Sequence, residues 1–197
     1  MHASDNRVEA ERARHALELA TRGARVAVVS SGDPGVFAMA SAVAEVAADP
    51  AFHDVPVRVV PGMTAANAVA SRVGAPLGHD YAAISLSDYL KPWEVIEARL
   101  RAVAAADLAL AVYNPASKTR REQLVRARDV LLEVRSPETV VIIGRAVGSP
   151  QESVTVTTLG EFDPDQVDMR CLLIIGSSRT EVTERPGGRI VHTPRRY

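Results

Sequence analysis

Three short polar turns follow apolar, β-branched runs in this sequence, and each carries groups suited to a small ligand. Gly32-Asp33-Pro34-Gly35 comes after Arg25-Val26-Ala27-Val28-Val29-Ser30. Its glycines let backbone approach a ligand closely, and the Asp33 carboxylate accepts hydrogen bonds from a ribose or an amine; the same aspartate also reads as the cap of the next helix. Pro61-Gly62-Met63-Thr64-Ala65-Ala66 places a hydroxyl and small side chains at a helix start. Free N–H groups there can meet a ligand's polar atoms, or Thr64 is a plain N-cap. Tyr113-Asn114-Pro115 suits stacking or hydrogen bonding to a planar ligand, or simply ends a strand. Between the second and third turns, Ile84-Ser85-Leu86-Ser87-Asp88-Tyr89-Leu90-Lys91-Pro92-Trp93 gathers hydroxyls, a carboxylate, a cation and the only tryptophan. Such density suggests a site, although Ser87 or Asp88 as a cap and Trp93 as packing would also account for it.

The basic residues Lys118, Arg120, Arg121, Arg126 and Arg128 read as a solvated helix face. Against a polycarboxylated substrate they would be a clamp, because guanidinium groups pair carboxylates in bidentate fashion. His79-Asp80 reads as a loop and cap, though an imidazole moves protons near neutral pH. Cys171 is the single cysteine, excludes an internal disulfide and reads as inert core. No Cys or His pair has zinc-ligand spacing, no Gly-Lys-Ser or Gly-Lys-Thr supports a phosphate loop, and the first turn lacks the glycine triplet of a dinucleotide site. Metal and ATP chemistry lose their usual supports. With 23 basic and 24 acidic residues the formal charge is −1, without the field that holds a nucleic-acid backbone. No apolar run is long enough to span a membrane and the N-terminus is polar, so a cytoplasmic protein is expected.

Elements must hold these turns in place. The chain has 197 residues, 47% of them apolar, enough for one or two small domains with an ordinary core. A helix is expected from Arg7 to Arg22, with Asn6 and Glu9 as a capping box. Strand, turn and helix then follow twice: Arg25–Ser30 into Val36–Val46, and Val57–Val60 into Met63–Val73. Further on, strands are expected at Tyr81–Leu86, Leu108–Val112, Thr139–Ile143, Ser153–Thr157 and Cys171–Ile175. Helices are expected from Pro92 to Ala105 and from Lys118 to Val134, and Glu184–Tyr197 reads as a loosely ordered tail. The class is therefore α/β: a parallel N-terminal sheet over residues 1–61 that lacks its opening strand, and a mixed-sheet domain over 62–197. In open α/β sheets ligands sit at the carboxyl ends of strands, which is where the three turns lie.

Taken together, Val29 to Ala40, Pro61 to Ala68 and Gly74-Ala75-Pro76-Leu77-Gly78-His79-Asp80 resemble the tetrapyrrole methylases. Ile84-Ser85-Leu86-Ser87-Asp88 with Pro92-Trp93, and Tyr113-Asn114-Pro115-Ala116-Ser117-Lys118 with Arg120, are similar to the branch that methylates carbon 17 of precorrin-3B in cobalamin biosynthesis. The resemblance runs from about Val8 to Ser178. It implies two α/β domains, S-adenosylmethionine in the cleft between them, a tetrapyrrole substrate and a homodimer, with no nucleic-acid or membrane partner. By position it implies that Gly32, Asp33, Val36, Thr64, Ala65, Asn114 and Ala146 line the cofactor. By chemistry type, Asp88, Lys91, His79 and Tyr113 are candidates for the acid–base work of ring contraction, and Arg72, Lys91, Lys118, Arg120 and Arg121 for meeting macrocycle carboxylates. The family's first strand ends in a Gly-x-Gly-Pro-Gly loop that these residues lack, so the sequence is expected to start inside the family pattern. The alternatives are another tetrapyrrole methylase, or a non-catalytic fragment that only dimerises or binds cofactor. A ribosomal RNA methyltransferase of the same architecture would need the basic surface that this chain lacks.

Overall fold

The computed structural model describes residues 8–117 and 120–196 and divides into two compact units, Met1–Thr64 and Ala65–Tyr197. In the first unit, α1 (Glu9–Thr21) packs against α2 (Met39–Ala47) through the buried Ala13, Leu17 and Met39. A single 3-10 turn (Pro50–Phe52) buries Phe52, over whose ring the Arg14 guanidinium sits at 5.5 Å. Val8 occupies the N-cap position of α1 without a side-chain cap; Asn6, the expected cap, lies outside the described residues. α2 starts at Met39 rather than Val36, because Phe37 takes left-handed backbone (φ 51°) and ends the preceding turn.

The two strands expected in this unit are not formed. Residues 25–30 and 57–60 join no ladder among the described residues. Val29 is 87% exposed and Val60 65%, so neither segment has an apolar neighbour of the kind a parallel sheet supplies. β-Branched composition favours extended backbone, but a strand exists only where a second backbone answers its N–H and C=O groups.

The second unit is built on a five-stranded sheet. In chain order its elements are α3 (Ala65–Val73), β1 (Gly74–Ala75), β2 (Tyr81–Ser85), α4 (Trp93–Ala105), β3 (Ala109–Tyr113), α5 (Glu122–Leu132), β4 (Val140–Arg145), β5 (Ser153–Thr158), β6 (Cys171–Ile175), β7 (Glu181–Arg185) and β8 (Gly188–His192). The sheet order is β2-β3-β6-β4-β5. β2 and β3 are parallel, while β6 is antiparallel to both β3 and β4, so β2, β3 and β4 run the same way and end at one edge. This is the mixed sheet read from the sequence.

Alternation along the central strands places Leu110, Val112, Val141, Leu173 and Ile175 with α4 and α5, and Ala111, Ile142, Leu172 and Ile174 with α3. Both faces are covered, and burying each large side chain contributes roughly 1.5–3 kcal/mol. Contact with α3 is tight at Gly144, where a Cβ would lie 2.2 Å from Val69. Arg135, beyond α5, is a buried guanidinium donating to the carbonyls of Val103, Leu108 and Gly176, which end α4, lead into β3 and end β6. Burial pushes its pKa down, with Asp107 opposing.

Three expectations change here. α4 begins at Trp93, leaving Pro92 as its N-cap, and α5 begins at Glu122 rather than Lys118. The expected loose tail is instead a hairpin: β7 pairs antiparallel with β8, and β8 pairs parallel with β1. Gly187-Gly188 supplies the turn and Val191 the fully buried anchor, two signals that the surrounding arginines obscure in the sequence.

Candidate active site

The shared edge where β2, β3 and β4 end collects Ser85-Leu86-Ser87-Asp88, Tyr113-Asn114 and Arg145-Ala146. Asn114 and Ala146 both hold left-handed backbone, φ 49° and 48°. Such a conformation costs a non-glycine residue on the order of 1–3 kcal/mol and collects at functional sites. The surroundings impose it: Ala146 N–H donates to the Arg170 carbonyl at 2.9 Å, and Asn114 Nδ2 donates to Ser85 Oγ at 2.9 Å. Buried Ser85 also accepts the Ser87 N–H at 3.2 Å, and Leu86 N–H donates to the Tyr113 carbonyl at 3.0 Å. On the face of the sheet that α3 covers, Ala66 N–H at the start of α3 donates to the Tyr113 hydroxyl at 3.2 Å. Ala65-Ala66, Tyr113 and Asn114, far apart in sequence, thus form one patch.

The loop after β2 is pinned at its base. Gln123 Nε2 donates to Asp88 Oδ2 at 2.7 Å, and Arg120 Nη1 donates to the Leu86 carbonyl at 2.9 Å with its Nε 3.8 Å from Asp88 Oδ1. Arg120 is therefore turned inward; burial lowers its pKa and Asp88 opposes the shift. Beyond this base Tyr89 and Leu90 are 71% and 84% exposed, and the half-buried Lys91 is lowered in pKa by burial and then by Arg99. Nearby, Arg145 donates to Asp168 at 2.9 and 3.1 Å. Burial raises the Asp168 carboxyl, but the Arg170 N–H, Arg145 and Cys171 outweigh it and hold it below its ordinary value. The same burial pushes the Cys171 thiol up, keeping it protonated at neutral pH.

Not every expected residue reaches this edge. His79 lies before β2, at the opposite end of the strands, beside Asp107, Ser177 and Thr193. Its Nδ1 accepts the Asp80 N–H at 2.7 Å, and the length of β2 separates it from Ser85, about 16 Å at 3.3 Å per residue. Arg72 makes a bidentate pair with Glu152 at 2.6 and 3.1 Å, fastening the end of α3 to the turn before β5. Arg121 is exposed and 3.5 Å from Asp165, and Lys118 lies outside the described residues.

In the first unit Asp33 does not cap α2, whose N-cap is Ala38. Its carboxylate instead accepts the Gly35 N–H at 2.8 Å and the Gly62 N–H at 3.0 Å, joining two of the polar turns. These bonds, Gly62 first and Gly35 second, hold its pKa below the ordinary value. Gly62 is required there: a Cβ would lie 2.3 Å from the Gly32 carbonyl oxygen. Val36 and Thr64 are half-buried in the same unit.

Sequence reasoning missed Ser85 as a member of this set, together with Gln123 and the Arg145–Asp168 pair. Ser85 lay inside a stretch already conspicuous for polar density, but its partner is 29 positions away; Gln123 gave no local signal. Among the described residues no cluster of three metal-ligating side chains occurs, and no helix is long and apolar enough to cross a membrane.

Residues 2–163 match the family described as tetrapyrrole (corrin/porphyrin) methylases. The chain is 59% identical, over its whole length, to "Cobalamin biosynthesis protein CobIJ" of Mycobacterium tuberculosis, of which it spans only 39%. It is 52% identical over 99% of its length to "Precorrin-3B C(17)-methyltransferase" of Sinorhizobium sp, covering 78% of that protein. The crystal structure of the methyltransferase CobJ superposes with a TM-score of 0.92 at 47% identity, covering 98% of this chain and 80% of that one. A uroporphyrin-III C-methyltransferase from Thermus thermophilus, crystallised with S-adenosylhomocysteine, matches at TM-score 0.58 and 25% identity over 87% of this chain and 73% of its own.

Proposed function

The chain belongs to the tetrapyrrole (corrin/porphyrin) methylases, and from that premise we propose that it transfers a methyl group from S-adenosylmethionine to carbon 17 of precorrin-3B, with contraction of the macrocycle, in cobalamin biosynthesis. The observation that carries this reading is the 52% identity, over nearly the whole chain, to a precorrin-3B C(17)-methyltransferase. Work in the cytoplasm as a homodimer completes the proposal.

The residues fit a sulfonium nucleoside. Cofactor-lining roles are proposed for Gly32, Asp33, Val36 and Thr64 in the first unit and for Ala65, Asn114 and Ala146 in the second. The second-unit set is uncharged, and Asn114 and Ala146 both hold left-handed backbone. When bound, the cofactor would supply an electrophilic methyl carbon for transfer from sulfur to a ring carbon. Positive charge disperses in that step, so alignment in a dry, neutral setting supplies much of the rate and no protein nucleophile is needed.

Protons moved during contraction fall to groups at the same edge. Asp88 is held by Gln123 and Arg120, Lys91 is on the same loop, and the Tyr113 hydroxyl accepts the Ala66 N–H. His79, at the other edge, is left out of that set. The exposed Arg121 and the half-buried Lys91 are suited to meeting the macrocycle's carboxylates, whereas Arg72 and Arg120 are already committed to Glu152 and to the Leu86–Asp88 loop. Incubating the chain with precorrin-3B and S-adenosylmethionine labelled in its methyl group tests the proposal. Label recovered at carbon 17 of a ring-contracted product is expected; an unchanged macrocycle, or label at another carbon, overturns it.

A further inference from the structure

We propose that Ser85 is a positioning residue for cofactor recognition, acting through Asn114; this rests on the reading of Asn114 as part of the cofactor wall. Ser85 closes β2 directly beside Tyr113 in the ladder, so its side chain lies next to the turn that carries Asn114. It is 4% exposed. Its Oγ accepts two N–H groups, from Asn114 Nδ2 at 2.9 Å and from the Ser87 backbone at 3.2 Å, which fills both acceptor positions of a hydroxyl.

Two valences remain. On the Asn114 amide, the second Nδ2 hydrogen and the Oδ1 acceptor take up no further hydrogen bond among the described residues. Because Asn114 gives one of its two amide hydrogens to Ser85, the amide is held in place, and its second hydrogen and its oxygen are what it can offer a ligand. A donor and an acceptor on one side-chain amide match a neutral polar edge that offers the reverse pair, such as the amino group and ring nitrogen of a purine. The left-handed backbone at Asn114 is the strained element this bond helps to hold.

The test is isothermal titration of S-adenosylhomocysteine against the intact chain and five variants. Ser85→Ala removes the acceptor and is expected to weaken binding about tenfold, the effect of one well-placed hydrogen bond. Ser85→Cys, nearly isosteric but a poor acceptor, is expected to lose a similar factor, so the result does not hang on how well the Ala variant folds. Ser85→Thr keeps the hydroxyl and is expected to stay within about threefold of the parent. Asn114→Ala is expected to weaken binding at least as much as Ser85→Ala, and adding Ser85→Ala to it is expected to cost nothing more, since a positioning residue has no effect once its client is gone.

Undiminished affinity in Ser85→Ala and Ser85→Cys beside a weakened Asn114→Ala overturns the role of Ser85 and leaves the cofactor reading standing. Losses that multiply in the double variant, or a Thr variant as weak as Ala, also overturn it. If Asn114→Ala binds like the parent, or the parent itself does not bind at millimolar ligand, Asn114 leaves the cofactor wall and Ser85 goes with it.

Discussion

Val26-Ala27-Val28-Val29 in the first unit and Leu172-Leu173-Ile174-Ile175 in the second are the same kind of sequence, short, apolar and bounded by polar residues. Their fates differ. The second run is the central strand β6, flanked by β3 and β4 and buried on both faces, with Leu173 and Ile174 fully enclosed. The first forms no ladder, and Val29 remains 87% exposed. Local composition is therefore an offer of extended backbone, and the neighbouring segments decide whether it is taken up. The same contrast divides the functional residues. Those of the second unit are gripped by strands, whereas those of the first are held by a single carboxylate, Asp33, bridging two turns.

Hydrogen exchange gives the widest separation. Amides of β3 and β6 are expected to exchange only through global unfolding, a thousandfold or more slower than those of residues 25–30 and 57–60. Equal protection would mean that the first unit's segments are paired after all. Leu173→Ala is expected to cost about 2–5 kcal/mol in denaturant unfolding, while Val29→Ala stays within about 0.5 kcal/mol. A comparable loss at both positions would break the comparison. Ala146→Gly should move the other way and stabilise the fold by roughly 0.5–1 kcal/mol, since its φ of 48° suits glycine; destabilisation would show that the turn is not strained.

The smallest effect concerns Asp33. Its pKa is lowered in the folded chain, so its ties to Gly35 and Gly62 are present above the unfolded value and are lost only as pH falls through the lower folded value. The Gly35 and Gly62 amide shifts should titrate together with a midpoint below the ordinary aspartate value of about 3.9. A midpoint at or above that value would release Asp33 from the role of fastener.

Much of the second unit was legible because its strands and helices carry strong periodic patterns. Cys171–Ile175 is read without error, and β2 and β3 fall within one residue of their expected ends. The β7–β8 hairpin was not, since Arg185, Arg189 and their neighbours suggest a solvated tail and its burial comes from β1 and α3. At the candidate site, residue types marked the loops but not the pairings. Nothing local says that Ser85 holds Asn114, that Ala66 meets Tyr113, or that Arg72 is spent on Glu152, because each bond joins segments distant in the chain. His79 shows the converse case. Its chemistry was suitable, but its place before β2 puts it a strand's length from the groups it was grouped with.

The most direct test of the account is to map S-adenosylhomocysteine onto the second unit by amide chemical-shift perturbation. Shifts gathered at Ala65-Ala66, Ser85 to Ser87, Tyr113-Asn114 and Ala146 to Gly148 are the predicted result. Shifts gathered instead around His79, Ser177 and Thr193, or none at millimolar ligand, would contradict it.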